Sequence, residues 1–370
     1  MAEETEKYYL GIEATGRTVA LLSDENGKVL GRGTAGPSVY SVVGQERSSQ
    51  AIWAAIVIAF SAAGFNTRDL LNAEAALPDV EAICVAMSGI ERPKDEAAAR
   101  RILAEYNLSK NLIAVGEAQA VVMAGTPDGF GIAVLGGENG LAYANAPDGR
   151  TARAGGWNYL VGDEGSAHYI GLRAVRRVLQ AADGRGAETD LTELVAKEWK
   201  LPTNRPDSLS EHIYKLATGP GTGGNKAQIE DITEGYKKAL ATLAPLVERS
   251  ATKGDRVAQQ ILDEVADNLA QSVRAVINRT DLFKQFQLQN RPDEAVVSPV
   301  RRSSSYELAG KAGQRVVQST ALPLTLYGSV VTSTYGELRR RLAERLTQCS
   351  EPLIVTEPAA GALKIAVRGK

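Results

Sequence analysis

The sequence carries one strand-and-turn pattern twice, and this duplication limits the folds that the chain can adopt. In the first copy, Tyr8–Leu10 is predicted to begin a strand, Val19–Leu22 to form a second and Val29–Gly33 a third. The small-residue segment Gly11–Thr18 is predicted as the turn between the first two strands. Between the last two lies Asn26-Gly27, a pair typical of hairpins because both residues accept a positive φ.

The second copy follows the same order about 120 residues later. Strands are predicted at Gly131–Leu135, Leu141–Asn145 and Arg150–Ala154, with the glycine turn Gly136–Gly140 between the first two. Glycine lets a backbone approach a ligand closely, and turn N–H groups can then face phosphate oxygens. The duplication therefore predicts two lobes whose glycine turns form a phosphate clamp, with plain hairpin turns as the alternative.

The remaining segments fit an α/β protein that becomes helical in its second half. Apolar runs and helical spacing predict the following elements: a helix at Ala51–Phe65, strands at Val80–Met87 and Leu112–Val115, and helices at Lys94–Tyr106, Arg173–Ala182, Leu191–Trp199, Ile229–Arg249 and Asp255–Ile277. The last helix has an apolar face made of Val257, Ile261, Val265, Leu269 and Val273, which we interpret as core.

Two further segments are interpreted as connections. The glycine-rich Thr218–Asn225 follows no strand and lacks the Gly-Lys-Ser/Thr ending of a P-loop, so it is predicted to be a linker. The polar Arg291–Gln314 is predicted to make a long surface excursion.

Composition excludes several classes of protein. A length of 370 residues suits two domains, and a net charge of -2 gives no basic surface for nucleic acid. The two cysteines exclude a disulfide framework and fit a reducing, cytoplasmic location, and neither histidine has a partner at metal-ligand spacing. The longest apolar run, Ala51–Phe65, is shorter than the roughly 20 residues that a membrane span needs.

The most specific motif is GGWNYLVGDEGS at Gly155–Ser166. It resembles the second-lobe signature of the N-acetylglucosamine kinases, which belong with the BadF/BadG/BcrA/BcrD-type ATPases in the actin/hexokinase/Hsp70 superfamily. The likeness extends to GKVLGRGTAGPS from Gly27, AMSGIERPKDEAAARRIL from Ala86, the helical segment from Leu240, YGSVV at Tyr327–Val331 and PAAGALKIA at Pro358–Ala366.

This resemblance implies an α/β, two-lobed actin/hexokinase-like (ribonuclease H-like) fold with duplicated lobes and an interlobe cleft. The first lobe would comprise residues 1–117 and 358–370, and the second residues 118–357 with helical insertions. The implied activity is phosphoryl transfer from ATP, with Mg²⁺, to a hydroxyl of an amino sugar such as N-acetylglucosamine. A small-molecule sugar is the expected partner, without nucleic acid or membrane, and a homodimer is left open.

The resemblance also implies roles for individual residues. Glu117 matches the family's general base, an aspartate at a strand end, although a carboxylate at a helix N-terminus is also favoured by the helix dipole. Gly156, Trp157 and Asp163 match the sugar-binding residues, with core packing for Trp157 and helix capping for Asp163 as alternatives.

The nucleotide and metal sites implied by the resemblance fall on three turns. Gly16, Arg17 and Thr18 match the first phosphate turn, and Gly137 and Asn139 the second. Gly328 and Ser329 match the adenosine-binding turn, and Glu13 is the candidate ligand of Mg²⁺.

Several residues differ from the family pattern. The first turn is one residue shorter than Asp-Gly-Gly-Gly-Thr-Lys-Thr, and the second has Glu138 where a hydroxyl is expected to meet phosphate. Val39 replaces a sugar-binding Asn, and Gly328-Ser329-Val330 replaces Gly-Gly-Val. Two hypotheses follow: an active amino-sugar kinase, or a catalytically impaired homologue that binds sugar or nucleotide. A reductase activator of the same superfamily is set aside, because Cys84 lies in an apolar strand and Cys349 near the C-terminus.

Overall fold

The computed structural model describes residues 6–67, 77–90, 93–219, 226–289 and 321–369, and within them two five-stranded sheets share one topology. The strand orders are β3-β2-β1-β4-β5 and β10-β9-β6-β7-β8. The strands are β1 Tyr9–Ala14, β2 Thr18–Ser23, β3 Val29–Ala35, β4 Ala82–Met87, β5 Leu112–Gly116, β6 Gly131–Gly136, β7 Gly140–Asn145, β8 Thr151–Gly155, β9 Leu324–Tyr327 and β10 Leu353–Ile354.

Helices cover and connect these sheets. They are α1 Tyr40–Val43, α2 Gln45–Ala62, α3 Pro93–Ala104, α4 Glu117–Gly125, α5 Ala167–Ala182, α6 Leu191–Glu198, α7 Pro206–Thr218, α8 Lys226–Ala241, α9 Ala244–Thr252, α10 Arg256–Thr280, α11 Leu282–Gln289, α12 Glu337–Arg345 and α13 Ala359–Arg368. No described helix is both long enough and apolar enough to cross a bilayer.

The duplicated pattern predicted from the sequence is confirmed, with shorter turns. Ala14 pairs with Thr18, so the first turn comprises only residues 15–17, because Gly11–Ala14 continues β1. Gly136 pairs with Gly140 in the same way, which leaves residues 137–139 as the second turn. The hairpin at Asn26-Gly27 is also present, with Gly27 at a φ of 77°.

The chain places the carboxyl ends of its parallel strands along one edge of each sheet. In the first sheet β1, β4 and β5 run parallel, and Met87 at the end of β4 pairs with both Ala14 and Gly116. In the second sheet β6 and β9 run parallel, and Leu135 pairs with Tyr327. Residues that follow these strands are therefore neighbours, which is the usual position of ligand sites in α/β sheets.

The predicted apolar helices pack as core elements with some changes of boundary. The whole Val257–Val273 stripe of α10 is buried. The apolar helix around Ala51 begins earlier, at Gln45, and buries one face while Ile58 on the other face is 46% exposed. The segment Ile229–Arg249 is two helices, since α8 ends at Ala241 and Pro245, which lacks an N–H, lies in the first turn of α9.

The C-terminal helix returns to the first sheet. Leu363 of α13 lies directly over Gly11 of β1, and Lys364 donates to the carbonyl oxygens of Met123 and Ala124 at the end of α4. All strands of the first sheet fall within 1–117 and all those of the second within 118–357. The lobe boundaries stay a prediction, and Arg291–Gln314 and most of the Thr218–Asn225 loop lie outside the described residues.

Candidate functional site

A cavity of about 310 Å³ lies between the two glycine turns, where the facing edges of the two sheets meet. Both lobes contribute to it. Its lining consists of Thr15, Gly16, Arg17, Glu117, Leu135, Gly136, Gly137, Glu138, Asn139, Tyr327, Gly328 and Ser329. The cavity thus lies at the ends of β1, β5, β6 and β9, which the strand directions bring to the facing edges of the two sheets.

Glu13, near the end of β1, lies behind the first turn and has no exposed surface. Its Oε1 accepts from the Tyr327 hydroxyl of the second lobe at 3.1 Å, and Arg17 Nε lies 3.7 Å away. Its Oε2 is buried and has no hydrogen-bond partner among the described residues. Burial raises the pKa of this carboxyl, although Arg17 opposes the rise.

Glu117 begins α4 directly after β5, and its side chain lines the cavity. The Ser88 hydroxyl, which follows the neighbouring strand β4, donates to Glu117 Oε2 at 2.7 Å. Burial raises the pKa of the Glu117 carboxyl to about 7; the Ser88 hydrogen bond opposes this, and the negative charges of Glu138 and Glu13 add to it. A carboxylate that titrates near neutral pH is suited to general base chemistry.

The GGWNYLVGDEGS segment holds the second glycine turn in place. Gly156 N–H donates to the Gly140 carbonyl at 2.9 Å, and the Gly140 N–H donates to Asp163 Oδ1 at 3.4 Å. Asp163 is buried, with a left-handed φ of 58°. It does not cap helix α5, because that role falls to Ser166, whose side chain accepts from Tyr169 N–H.

Trp157 projects from the same segment into solvent and is 67% exposed, so its side chain is not part of the core. The Arg153 guanidinium lies over its ring, 5.2 Å from the centroid. An exposed indole face next to a fixed turn is the kind of surface on which the apolar face of a sugar can lie.

Within the described part of the chain, Glu13 has one oxygen without a hydrogen-bond partner that a hard divalent cation would suit, although Glu13 is not among the residues that line the cavity. Among the described residues, no group of three or more His, Cys, Asp or Glu side chains is arranged to hold a metal ion by itself. Mg²⁺ in phosphoryl-transfer sites is usually bound through one or two carboxylates together with phosphate oxygens and water. The buried, unpartnered Oε2 of Glu13 is the oxygen that such a cation would satisfy.

The structure brings many of the predicted site residues together. Those that line the cavity are Glu117, Gly16, Arg17, Gly137, Asn139, Gly328 and Ser329. Thr18 lies outside the lining and is buried, with its hydroxyl 2.6 Å from both the Gly36 carbonyl and Ser38 Oγ. Gly156, Trp157 and Asp163 also lie outside the lining, next to the second turn.

Sequence reasoning missed Ser88 and the Tyr327 side chain. Both come at the carboxyl ends of parallel strands, β4 and β9, and this position was the available signal. Val39, at the position of the expected sugar-binding Asn, precedes α1 as its N-cap residue without a side-chain cap.

Comparison with known proteins agrees with this architecture. The sequence model of the BadF/BadG/BcrA/BcrD ATPase family matches residues 13–289. This range includes Glu13, Glu117, the second glycine turn and the Gly155–Ser166 motif.

Two curated relatives are kinases. The N-acetylmuramic acid/N-acetylglucosamine kinase of Clostridium acetobutylicum is 28% identical over 272 residues, which are 73% of this chain and 79% of the relative. The N-acetyl-D-glucosamine kinase of Dictyostelium discoideum is 28% identical over 284 residues, 76% of this chain and 82% of the relative.

A solved structure shows the same fold. A protein of Chromobacterium violaceum assigned as an N-acetylglucosamine kinase superposes with a TM-score of 0.60 at 23% identity, covering 96% of this chain and 98% of the other. At this identity the likeness concerns the fold alone. The two-lobed actin/hexokinase-like fold implied by the sequence is therefore confirmed.

Proposed function

Because the chain belongs to the BadF/BadG/BcrA/BcrD ATPase family, we propose that it is an ATP-dependent kinase that phosphorylates a hydroxyl of an amino sugar such as N-acetylglucosamine. The observation that carries the proposal is Glu117. It is a largely buried carboxylate at the end of a parallel strand, and it lies in the cavity between two glycine turns.

In this proposal Glu117 accepts the proton of the attacking sugar hydroxyl. Its pKa of about 7 leaves a substantial ionised fraction at neutral pH while keeping the carboxylate basic enough to take the proton. Ser88 fixes the orientation of Glu117 through Oε2, and the Tyr327 hydroxyl lies within hydrogen-bonding reach of the same carboxyl group.

The two turns would position the donor nucleotide. Gly16 and Arg17 belong to the proposed first phosphate turn, which the buried Thr18 follows at the start of β2. Gly137 and Asn139 belong to the second turn, and Gly328 and Ser329 to the adenosine turn. Glu13 would hold Mg²⁺, which when bound neutralises phosphate charge. These residues place the phosphates and lower the charge repulsion, which is most of what a phosphoryl-transfer site has to do.

We further propose that the sugar lies beside the second turn. Trp157 offers an exposed ring face, and Asp163, fixed by Gly140, offers a carboxylate to sugar hydroxyls. Gly156 allows close approach. A titration with sugar should change the fluorescence of Trp157, and the signal should be absent in Trp157→Phe.

A coupled ADP-release assay tests the proposed activity. The acceptors are N-acetylglucosamine, glucosamine, N-acetylmuramic acid and glucose, each with ATP and Mg²⁺. We expect turnover with at least one N-acetylated sugar, and a fall in kcat of about 10²-fold or more in Glu117→Gln, with sugar binding by calorimetry retained. Sugar binding without turnover in the wild-type protein would contradict the proposal.

One observation favours a second candidate, a catalytically impaired homologue that binds sugar or nucleotide. The Glu138 carboxylate lies within the cavity against Gly16 of the first turn, in space that phosphates would need. The same assay separates the two candidates, because only the active kinase releases ADP in an acceptor-dependent way.

A further inference from the structure

Glu138 lies at the tip of the second glycine turn, and its side chain reaches the first lobe. A Cβ built on Gly16 would lie only 2.3 Å from Glu138 Oε1, so the carboxylate is packed against the Gly16 backbone. Both residues line the cavity. The two glycine turns are thus bridged by a negatively charged side chain.

The charges around this bridge are unbalanced. Glu117 also lines the cavity, and Glu13 lies behind the first turn. Arg17 is the cation among the lining residues, and its Nε lies 3.7 Å from Glu13 Oε1. The positive charge of Arg17 is therefore already shared with Glu13.

A nucleotide phosphate placed between these turns would meet the Glu138 carboxylate at contact distance. The Glu138 side chain is exposed, so water screens part of this repulsion, but like charges at contact distance still repel each other. The repulsion is relieved when Glu138 rotates away or when a divalent cation lies between the carboxylate and the phosphate. A cation that binds both groups holds the phosphate near Glu138 instead of letting the two anions repel each other.

We propose that Glu138 is a specificity-determining residue of the nucleotide site, because its carboxylate makes entry of a nucleoside di- or triphosphate depend on a divalent cation. The inference rests on the proposed function, since it takes a nucleotide as the ligand of this cavity. The inference predicts a change in the affinity for nucleotide, whereas the proposed function predicts turnover.

Calorimetric titration of the full chain with ATP, in excess EDTA and in excess Mg²⁺, tests the inference. In EDTA we expect Glu138→Gln to lower the Kd for ATP by about tenfold or more, because the charge is removed while the size is kept. In excess Mg²⁺ the difference should shrink to about threefold or less. Adenosine, which has no phosphate, should bind equally to both proteins.

Two variants serve as controls. Glu138→Asp keeps the charge and shortens the side chain, so its Kd for ATP in EDTA should stay close to that of the wild-type protein. Glu25→Gln removes one carboxylate from the exposed turn between β2 and β3, and it should leave every Kd unchanged.

Three results would overturn the inference. These are an equal Kd for ATP in EDTA for wild type and Glu138→Gln, an improvement in Glu138→Asp without one in Glu138→Gln, and no nucleotide binding by any variant in either condition. Failure of the proposed function looks different. If ADP release is absent in all variants while the affinity difference persists, the kinase proposal alone fails.

Discussion

Gly16 in the first glycine turn faces the end of a side chain, whereas Gly140 at the second turn faces backbone. A Cβ on Gly16 would meet Glu138 Oε1, but a Cβ on Gly140 would lie 2.2 Å from the Gly165 nitrogen. Gly140 is the first residue of β7, and Gly137 within the second turn also faces backbone, because its Cβ would lie 3.0 Å from the Ser329 nitrogen. The two turns join equivalent strands in sheets of equal strand order, so equivalent topology does not imply equivalent packing.

The difference follows from what surrounds each turn. The second turn is held at Gly140 by the Gly155–Ser166 motif, because the Gly156 N–H donates to the Gly140 carbonyl and the Asp163 side chain accepts from the Gly140 N–H. The first turn is bounded on its cleft side by side chains from the other lobe, those of Glu138 and Tyr327. We expect the second turn to be rigid and intolerant of substitution, and the first to tolerate change because side chains can move.

The largest expected effect is that of Gly140→Ala. The added methyl group would collide with the Gly165 backbone, which cannot move without breaking the hydrogen bonds around Asp163. We expect the free energy of unfolding, measured by urea denaturation, to fall by about 3 kcal/mol or more. Gly235→Ala is the control: its Cβ meets open space within helix α8, so it should stabilise by roughly 0.5–1 kcal/mol. A small loss in the free energy of unfolding for Gly140→Ala would contradict the expected difference between the two turns.

The next effect concerns Glu117, which lies between the two turns. Its folded-state pKa of about 7 exceeds the ordinary 4.5, so the unfolded chain releases this proton first. The free energy of unfolding therefore falls as the pH rises from about 4.5 to 7. Glu117→Gln removes this loss, and the variant should exceed the wild type in stability by on the order of 2–3 kcal/mol at pH 8.

Urea denaturation of both proteins between pH 5 and pH 8 checks this second prediction. The gap between them should widen with pH, whereas exposed Glu25→Gln should run parallel to the wild type. A gap that stays constant across this range would show that burial of the Glu117 charge does not limit stability at the cleft.

A smaller effect is expected from Tyr327→Phe, which removes a hydrogen bond between the lobes. The hydroxyl donates to Glu13 Oε1 behind the first turn, and the other oxygen of Glu13 already lacks a described partner. We expect a loss of about 1 kcal/mol in the free energy of unfolding. The exposed Tyr335→Phe is the matched control. Equal, negligible losses in both would mean that this contact does not stabilise the first turn.

The smallest effect is expected from Gly16→Ala. The new methyl group would displace the flexible end of Glu138, not backbone, so the free energy of unfolding should change by less than about 1 kcal/mol. This variant sharpens the comparison when it is measured beside Gly140→Ala. Equal losses in the two variants would show that both turns are held by rigid contacts.

Much of the fold follows from local patterns in the chain. The two strand-and-turn units, the buried stripe of α10 and the position of Glu117 after a strand were predicted correctly, because strand alternation, helical spacing and turn chemistry act within short segments. The helix break at Pro245 was missed, although proline in a first helical turn is a local signal.

Only the tertiary structure decided which side chains meet across the cleft. Tyr327 and Glu13 are 314 residues apart, yet they share a hydrogen bond because β9 and β1 end at facing sheet edges. The Gly155–Ser166 motif predicted a sugar pocket, and the structure adds that Gly156 and Asp163 also hold Gly140. The sequence by itself determined the elements and the strand ends that carry the candidate site. The contact of Glu138 with Gly16 depends on how the lobes lie against each other, and no local spacing in the chain encodes that distance.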